Sequence, residues 1–205
     1  MNKFDIIIIG AGASGVFLSH ELTKIPNSAT VLMLDKGAPL EKRQCPIKMG
    51  KTETCIRCNP CHIMSGYGGA GTLSDGKYNI TTEFGGDLHA YVGVDAAMDL
   101  MEYVDSVLCD MGGSEAKLYN SASSELKRLA LQNNLKMLDA KIRHLGTDRN
   151  VEILGRIYDY TKDRIDIRFY TTITDVELLD DGTFKITTEK GEEFFGDNVV
   201  MASGR

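Results

Sequence analysis

Hydrophobic positions along this chain come in short runs, not in long stripes. Residues 4–9, Phe-Asp-Ile-Ile-Ile-Ile, are β-branched and continuous, which predicts a strand buried on both faces. The turn Gly10-Ala-Gly-Ala-Ser-Gly15 follows at once. Residues 16–24 then place Val16, Leu18 and Leu22 on or near one helical face, with Pro26 and Asn27 as the stop. Residues 30–34, Thr-Val-Leu-Met-Leu, predict a second buried strand with Asp35 at its end. Together these form a βαβ unit of about thirty residues, which requires parallel strands and a right-handed crossover.

From Lys36 to about Asp87 no periodicity is sustained. A structureless stretch of that length inside a domain is uncommon and usually functional. Residues 36–62 hold four cysteines and six Lys/Arg against two acids, and residues 65–86 hold seven glycines. Helical spacing resumes over 95–111 and 123–133. Short extended pieces are expected at 136–138 and 141–145, and a helix over 149–161 with Asp148 as its N-cap. Residues 165–170 predict a third core strand. Strands at 172–178, 183–188 and 193–195 follow, separated by the turn signals Asp181-Gly182 and Lys190-Gly191. Residues 198–202, Asn-Val-Val-Met-Ala, predict a last buried strand. A domain rarely ends on an uncovered core strand, so the 205 residues are expected to be the N-terminal portion of a longer chain.

Composition narrows the class. The chain is 42% hydrophobic and 25% charged, an ordinary globular mix. Uninterrupted apolar runs reach only four residues, as at Ile6–Ile9, against the ~18 a membrane span needs. No membrane partner is expected, and the apolar run near the N-terminus is too short for a signal peptide. The net charge of −6 argues against a general nucleic-acid binder. Five cysteines, an odd number, argue against a disulfide framework and for a reducing, cytoplasmic setting.

The candidate chemistry starts at Gly10-x-Gly12-x-x-Gly15, with Asp35 twenty residues beyond. In a βαβ unit Gly10 permits the tight turn, and Gly12 lets the backbone approach a pyrophosphate. Gly15 lets the helix pack close to the sheet. The helix N-terminus, at Ala13 and Ser14, offers free N–H groups and partial positive charge to phosphates. Asp35, with Lys36 beside it, is placed to accept the ribose hydroxyls of an adenosine half. This pattern alone fits FAD and NAD equally.

The remainder of the chain resembles the two-dinucleotide-fold flavoproteins of the glutathione-reductase type. The segments that carry the likeness are the opening Asp5–Gly15 and the strand ending in Ala202-Ser203-Gly204. The stretch Ser65–Lys77, behind a Cys-x-x-Cys-x-x-Cys run, is similar to a poorly characterised family of FAD-dependent dehydrogenases whose chains are much longer. The resemblance covers essentially the whole sequence. It implies an α/β, Rossmann-like FAD-binding fold with a parallel sheet, a small antiparallel β excursion and a long Cys/Gly-rich loop. Residues 1–205 would be one FAD-binding domain, with 36–87 as its insertion. FAD contacts are implied at Val176, in Thr174-Asp175-Val176, and at Ala202 and Gly204. On physical grounds Gly69 and Gly71 would let backbone lie against a flat ring or diphosphate, with Ser74 and Asp75 bonding the cofactor or holding the loop. Lys77 is either a stabiliser of charge on a reduced ring or a solvated lysine.

Cys55, Cys58 and Cys61, with Cys45-Pro46 upstream, have the number of thiols for a metal site. The spacing resembles [4Fe–4S] ligation, with the Cys-Pro in reversed order. Zinc, and redox-active or merely reduced thiols, remain alternatives. Cys109 is expected in a helix core. The expected function is therefore the FAD-binding portion of a flavin-dependent oxidoreductase acting on a small molecule or electron carrier. An NAD(P)-binding dehydrogenase domain and an iron–sulfur or zinc electron-transfer module are the alternatives. Substrate, catalytic residues and oligomeric state are not legible.

Overall fold

The computed structural model describes residues 3–26, 29–121 and 123–204. Asn27, expected to help stop the first helix, and the terminal Arg205 lie outside the described residues. In chain order the elements are β1 (Lys3–Ile9), α1 (Ala13–Lys24), β2 (Val31–Leu34), β3 (Lys77–Ile80), α2 (Leu88–Val92), α3 (Val94–Asp110), β4 (Leu118–Asn120), α4 (Ser124–Gln132), β5 (Lys141–His144), α5 (Thr147–Thr161), β6 (Ile165–Arg168), β7 (Ile173–Leu178), β8 (Phe184–Thr188) and β9 (Glu193–Met201). The chain forms two compact units, residues 1–73 with 154–205, and residues 74–153; the division falls within α5. The 36–87 segment is therefore shared between them.

The first unit holds a six-stranded sheet in the order β6-β2-β1-β9-β8-β7. β6, β2, β1 and β9 run parallel, and β8 and β7 are antiparallel additions. This is the expected α/β, Rossmann-like arrangement. Register explains the continuous apolar runs. Ile7 lies opposite Leu32 and Ile9 opposite Leu34, so these four share one face. They form a buried cluster with Ile186 and Phe194 from the antiparallel strands. On the other face, Ile8 lies under α1, its Cγ2 3.5 Å from where a Cβ on Gly15 would stand. Both faces of β1 and β2 are covered, as parallel strands require. Each large apolar side chain so buried contributes about 1.5–3 kcal/mol. At the start of β1, Asp5 accepts the Thr30 N–H at 2.6 Å and its hydroxyl at 2.8 Å.

One strand is longer than its sequence suggests. Residues 193–195 and 198–202 read as separate pieces, but β9 runs unbroken through Gly196 and Asp197. Residues 193–196 pair antiparallel with β8, Thr187 opposite Glu193, and on the other edge residues 195–201 pair parallel with β1, Ile9 opposite Met201. The antiparallel excursion and the parallel sheet are thus joined through one strand.

The second unit carries the antiparallel sheet β3-β5-β4 and the helices α2, α3 and α4. Neither β3 nor β4 was expected from periodicity, and 136–138 is not a strand. Both strands are short, β4 exposed throughout and β3 buried only at Ile80, so pairing with β5, not local pattern, makes them strands. α5 begins at Thr147, so Asp148 lies in its first turn and not at the N-cap. Arg143 forks onto Asp105 with contacts of 2.6 and 2.8 Å. Cys109, expected in the core, is half-buried, and desolvation raises its thiol above the usual value. No helix among the described residues is long and apolar enough to cross a membrane.

Candidate functional site

The ends of β1, β2 and β9 meet at the Gly10–Gly15 turn, where the parallel strands expose their C-terminal edge. That edge is where open α/β sheets place ligands. Gly10 adopts φ 109°, and a Cβ there would stand 2.4 Å from the Ala202 carbonyl. A Cβ on Gly15 would stand 2.0 Å from the Gly10 carbonyl, so α1 sits as close to the turn as backbone allows. Gly12 differs: a Cβ there meets nothing nearer than 4.0 Å. The protein itself does not require glycine at 12; the open side of the turn is what a Cβ would fill.

α1 starts against this opening without protection. No side chain caps its N-terminus, and its first turn holds no acid. Free N–H groups and the dipole at a helix N-terminus are chemistry suited to an anion.

Asp35 is buried at the end of β2. Its Oδ2 accepts the Ala11 N–H at 2.8 Å and its Oδ1 the Gly37 N–H at 2.7 Å. The carboxylate therefore shapes the turn from inside. Each oxygen retains a lone pair for a ligand hydroxyl.

The glycine segment after the cysteines closes a second wall. Gly68 N–H donates to the Ala11 carbonyl at 2.7 Å, and a short 3₁₀ turn covers Gly69–Gly71. Gly69 lies against Gly12, and Gly71 faces open space. Tyr67 anchors this wall. It is buried edge-on to Tyr158, ring centroids 5.2 Å apart, with Phe169 at 6.4 Å. Burial pushes its phenol well above the usual range, and its hydroxyl has no hydrogen-bond partner of good geometry.

Arg43 locks the wall in place. It is buried, and its guanidinium donates to four carbonyls: His62 at 3.1 Å, Tyr67 at 2.7 Å, Gly69 at 2.8 Å and Ile63 at 2.6 Å. Desolvation draws its pKa down, opposed by Asp35 and Cys61. Read from sequence, Arg43 is one of several cations around the thiols. Instead it stitches the cysteine-rich loop to the glycine wall. No local pattern marks a guanidinium that binds carbonyls nineteen or more residues away.

These walls enclose a cleft of about 840 Å³. Of the residues singled out in the sequence, Gly10, Gly12, Ala13, Ser14, Asp35, Lys36, Gly69, Gly71, Val176, Ala202 and Gly204 line it. Thr171, Thr172, Met64 and Met201 also line it and were not anticipated. Gly15 lies behind the wall in its packing role. Ser74 and Asp75 fall in the second unit, outside the lining. There Asp75 pairs with Lys77 at 2.7 Å, a contact that holds its carboxyl below the usual range. Ser74 Oγ accepts the Gly76 N–H at 3.3 Å.

The structure gives the expected metal centre at the cysteines no support. Among the described residues no group of three or more His, Cys, Asp or Glu is arranged to hold a metal ion. Cys45, Cys55, Cys58 and Cys61 are all free thiols, with Cys55 exposed and the others half-buried. Arg57, between Cys55 and Cys58, adopts a left-handed conformation, φ 52°. The structure gives neither a [4Fe–4S] cluster nor zinc support at these cysteines.

No family model and no curated protein matches the sequence. Solved structures do match the fold. Glycine oxidase from Geobacillus kaustophilus matches 100% of this chain at a TM-score of 0.55 and 17% identity, over 56% of its own length. NikD, an amino acid oxidase essential for nikkomycin biosynthesis, matches 100% at 0.52 and 13% identity, over 52% of its length. The Diels-Alderase PyrE3, from pyrroindomycin biosynthesis, matches 100% at 0.51 and 14% identity, over 32% of its length. None of the three is a glutathione reductase. The chain thus spans little more than half of the two oxidases and about a third of PyrE3, and what it shares with all three is the fold.

Proposed function

We propose that this chain is the FAD-binding portion of a flavin-dependent oxidoreductase. The observation that carries the reading is the cleft's double wall. A dinucleotide turn with an uncapped helix N-terminus faces a glycine segment, Gly69–Gly71, laid against it. The space a Cβ on Gly12 would enter is the cradle the pyrophosphate needs. Two of the proteins that share the fold are named as oxidases.

In this reading the N–H groups from Gly12 to Gly15 hold the pyrophosphate and Asp35 holds the ribose. The backbone at Thr174–Val176 receives the adenine. Gly69, Gly71 and the Ala202–Gly204 segment line the space left for the remainder of the cofactor. When bound, the flavin supplies the electron transfer, and the protein positions it and limits water. The substrate, a small molecule or electron carrier, would be met with the help of sequence beyond this portion.

Titration of the purified chain with FAD, NAD and NADP, followed by flavin fluorescence and calorimetry, tests the reading. Stoichiometric FAD binding that the Gly12→Ala variant weakens is expected. Binding of a nicotinamide dinucleotide with no binding of FAD would replace the flavin reading with a nicotinamide one.

A further inference from the structure

We propose that Cys58 and Cys61 form a dithiol–disulfide couple that exchanges with small disulfides in a pocket of their own. A cavity of about 300 Å³ is lined by Cys58, Pro60, Cys61, His62 and Tyr170, with Ser65 shared between it and the larger cleft. The chain bends at Asn59 and Pro60, so the two cysteines stand on the same small cavity. Two residues between thiols is the spacing of redox-active pairs. Cys45 and Cys55 are outside this lining. Two thiols are too few for the metal centres considered above, but they are all a disulfide needs.

The surroundings favour thiol chemistry. His62 lines the same cavity and follows Cys61 directly, and its Nδ1 is buried with no hydrogen-bond partner. An imidazole nitrogen so placed is available to take a thiol proton. The buried Arg43 guanidinium donates to the His62 carbonyl and interacts electrostatically with Cys61. The cavity is at the small end of ligand pockets, which suits a low-molecular-weight disulfide.

The exchange balances as follows. One thiolate of the pair attacks a sulfur of the disulfide RS–SR; that S–S bond breaks, RS⁻ leaves and a mixed disulfide forms. The second thiol gives up its proton and attacks the protein sulfur of the mixed disulfide. The second RS⁻ leaves and the Cys58–Cys61 bond closes. Two protein thiols are oxidised, one small disulfide is reduced, and the two protons end on two molecules of RSH. Flavin takes no part, so the couple stands or falls separately from the cofactor assignment.

The test equilibrates the whole chain anaerobically with graded ratios of 2-mercaptoethanol and 2-hydroxyethyl disulfide. Acid quench, alkylation and peptide mass mapping then follow. The expected result is joint protection of Cys58 and Cys61 in one linked peptide, while Cys45, Cys55 and Cys109 are still alkylated. Cys58→Ser should trap Cys61 as a stable mixed disulfide, and His62→Ala should slow oxidation without moving the equilibrium ratio. A linkage from Cys55 or Cys45 to either thiol, or independent oxidation of all five, would overturn the proposal. So would stoichiometric zinc protecting the pair. The mapping on the unsubstituted chain decides even where a variant fails to fold.

Discussion

The Asp35 carboxylate accepts the Ala11 backbone N–H at 2.8 Å, and through that bond the end of β2 sets the shape of the turn after β1. An acid at this place in a βαβ unit is ordinarily read as a ribose ligand. Here it is also an internal brace, because its other oxygen holds the Gly37 N–H at 2.7 Å. Replacement therefore acts twice. Asp35→Ala should weaken FAD binding by roughly 1–3 kcal/mol and lower the unfolding free energy by a similar amount, since two buried N–H groups lose their acceptor. Fluorescence titration and urea unfolding on the same preparation separate the two effects.

Gly12 and Gly15 make a matched pair. Gly15→Ala drives a Cβ to within 2.0 Å of a backbone carbonyl, whereas Gly12→Ala meets nothing nearer than 4.0 Å. Gly15→Ala should destabilise the fold by about 1–3 kcal/mol or more, as overpacking against backbone does. Gly12→Ala should leave the melting temperature within a degree or two and cut dinucleotide affinity. Equal loss of stability in both would show that Gly12 serves packing and not a ligand.

Arg43→Met keeps much of the apolar stem and removes the guanidinium. The His62 and Ile63 carbonyls then lose this donor, while those of Tyr67 and Gly69 keep the Thr72 hydroxyl and N–H. The expected cost is several kcal/mol, from about 1–3 kcal/mol per buried group left unsatisfied, reduced where water enters. Limited proteolysis should show new cleavage between Gln44 and Gly71 before the chain unfolds globally. Arg43→Lys, with three donors in place of five, should lie between the two.

Tyr67→Phe probes alkaline stability. Burial raises the folded phenol's pKa above the 10.0 of a free side chain. Its contribution is complete below about pH 10 and is lost as pH rises further, because the unfolded phenol ionises while the folded one does not. The variant should match or exceed the parent at pH 7, since the hydroxyl has no good partner, and should lose less stability between pH 9 and 11. Unfolding midpoints across that range check it.

What the sequence discloses and what it hides follow from how local each cause is. β1, the glycine turn, α1, β2 and Asp35 are consecutive, so pattern and spacing suffice for them. Gly69 and Gly71, singled out in the long loop as backbone that could lie against a flat ring or diphosphate, line the cleft. Ser74 and Asp75, only a few residues on, follow the same reading but belong to the second unit. The strands Lys77–Ile80 and Leu118–Asn120 owe their conformation to a shared partner, Lys141–His144, distant from both in sequence. The cysteine spacing suggests a metal because it is regular in sequence, and the left-handed conformation of Arg57 is invisible there.

The unbroken course of β9 also governs the order in which the chain must fold. β1 acquires its β2 neighbour early, with Asp5 reaching Thr30 across a separation of 25 residues. Its other neighbour comes far later: Asn198 reaches the Asp5 carbonyl across 193. Long-range parallel pairing is slow because a large loop must close before any contact rewards it. While the chain emerges during synthesis, one edge of Ile6–Ile9 stays unpaired until nearly all of these residues have been made. Nascent β1 thus needs shielding from other chains, and the Gly10–Gly15 turn cannot take its final shape until β9 arrives to place Ala202 against Gly10.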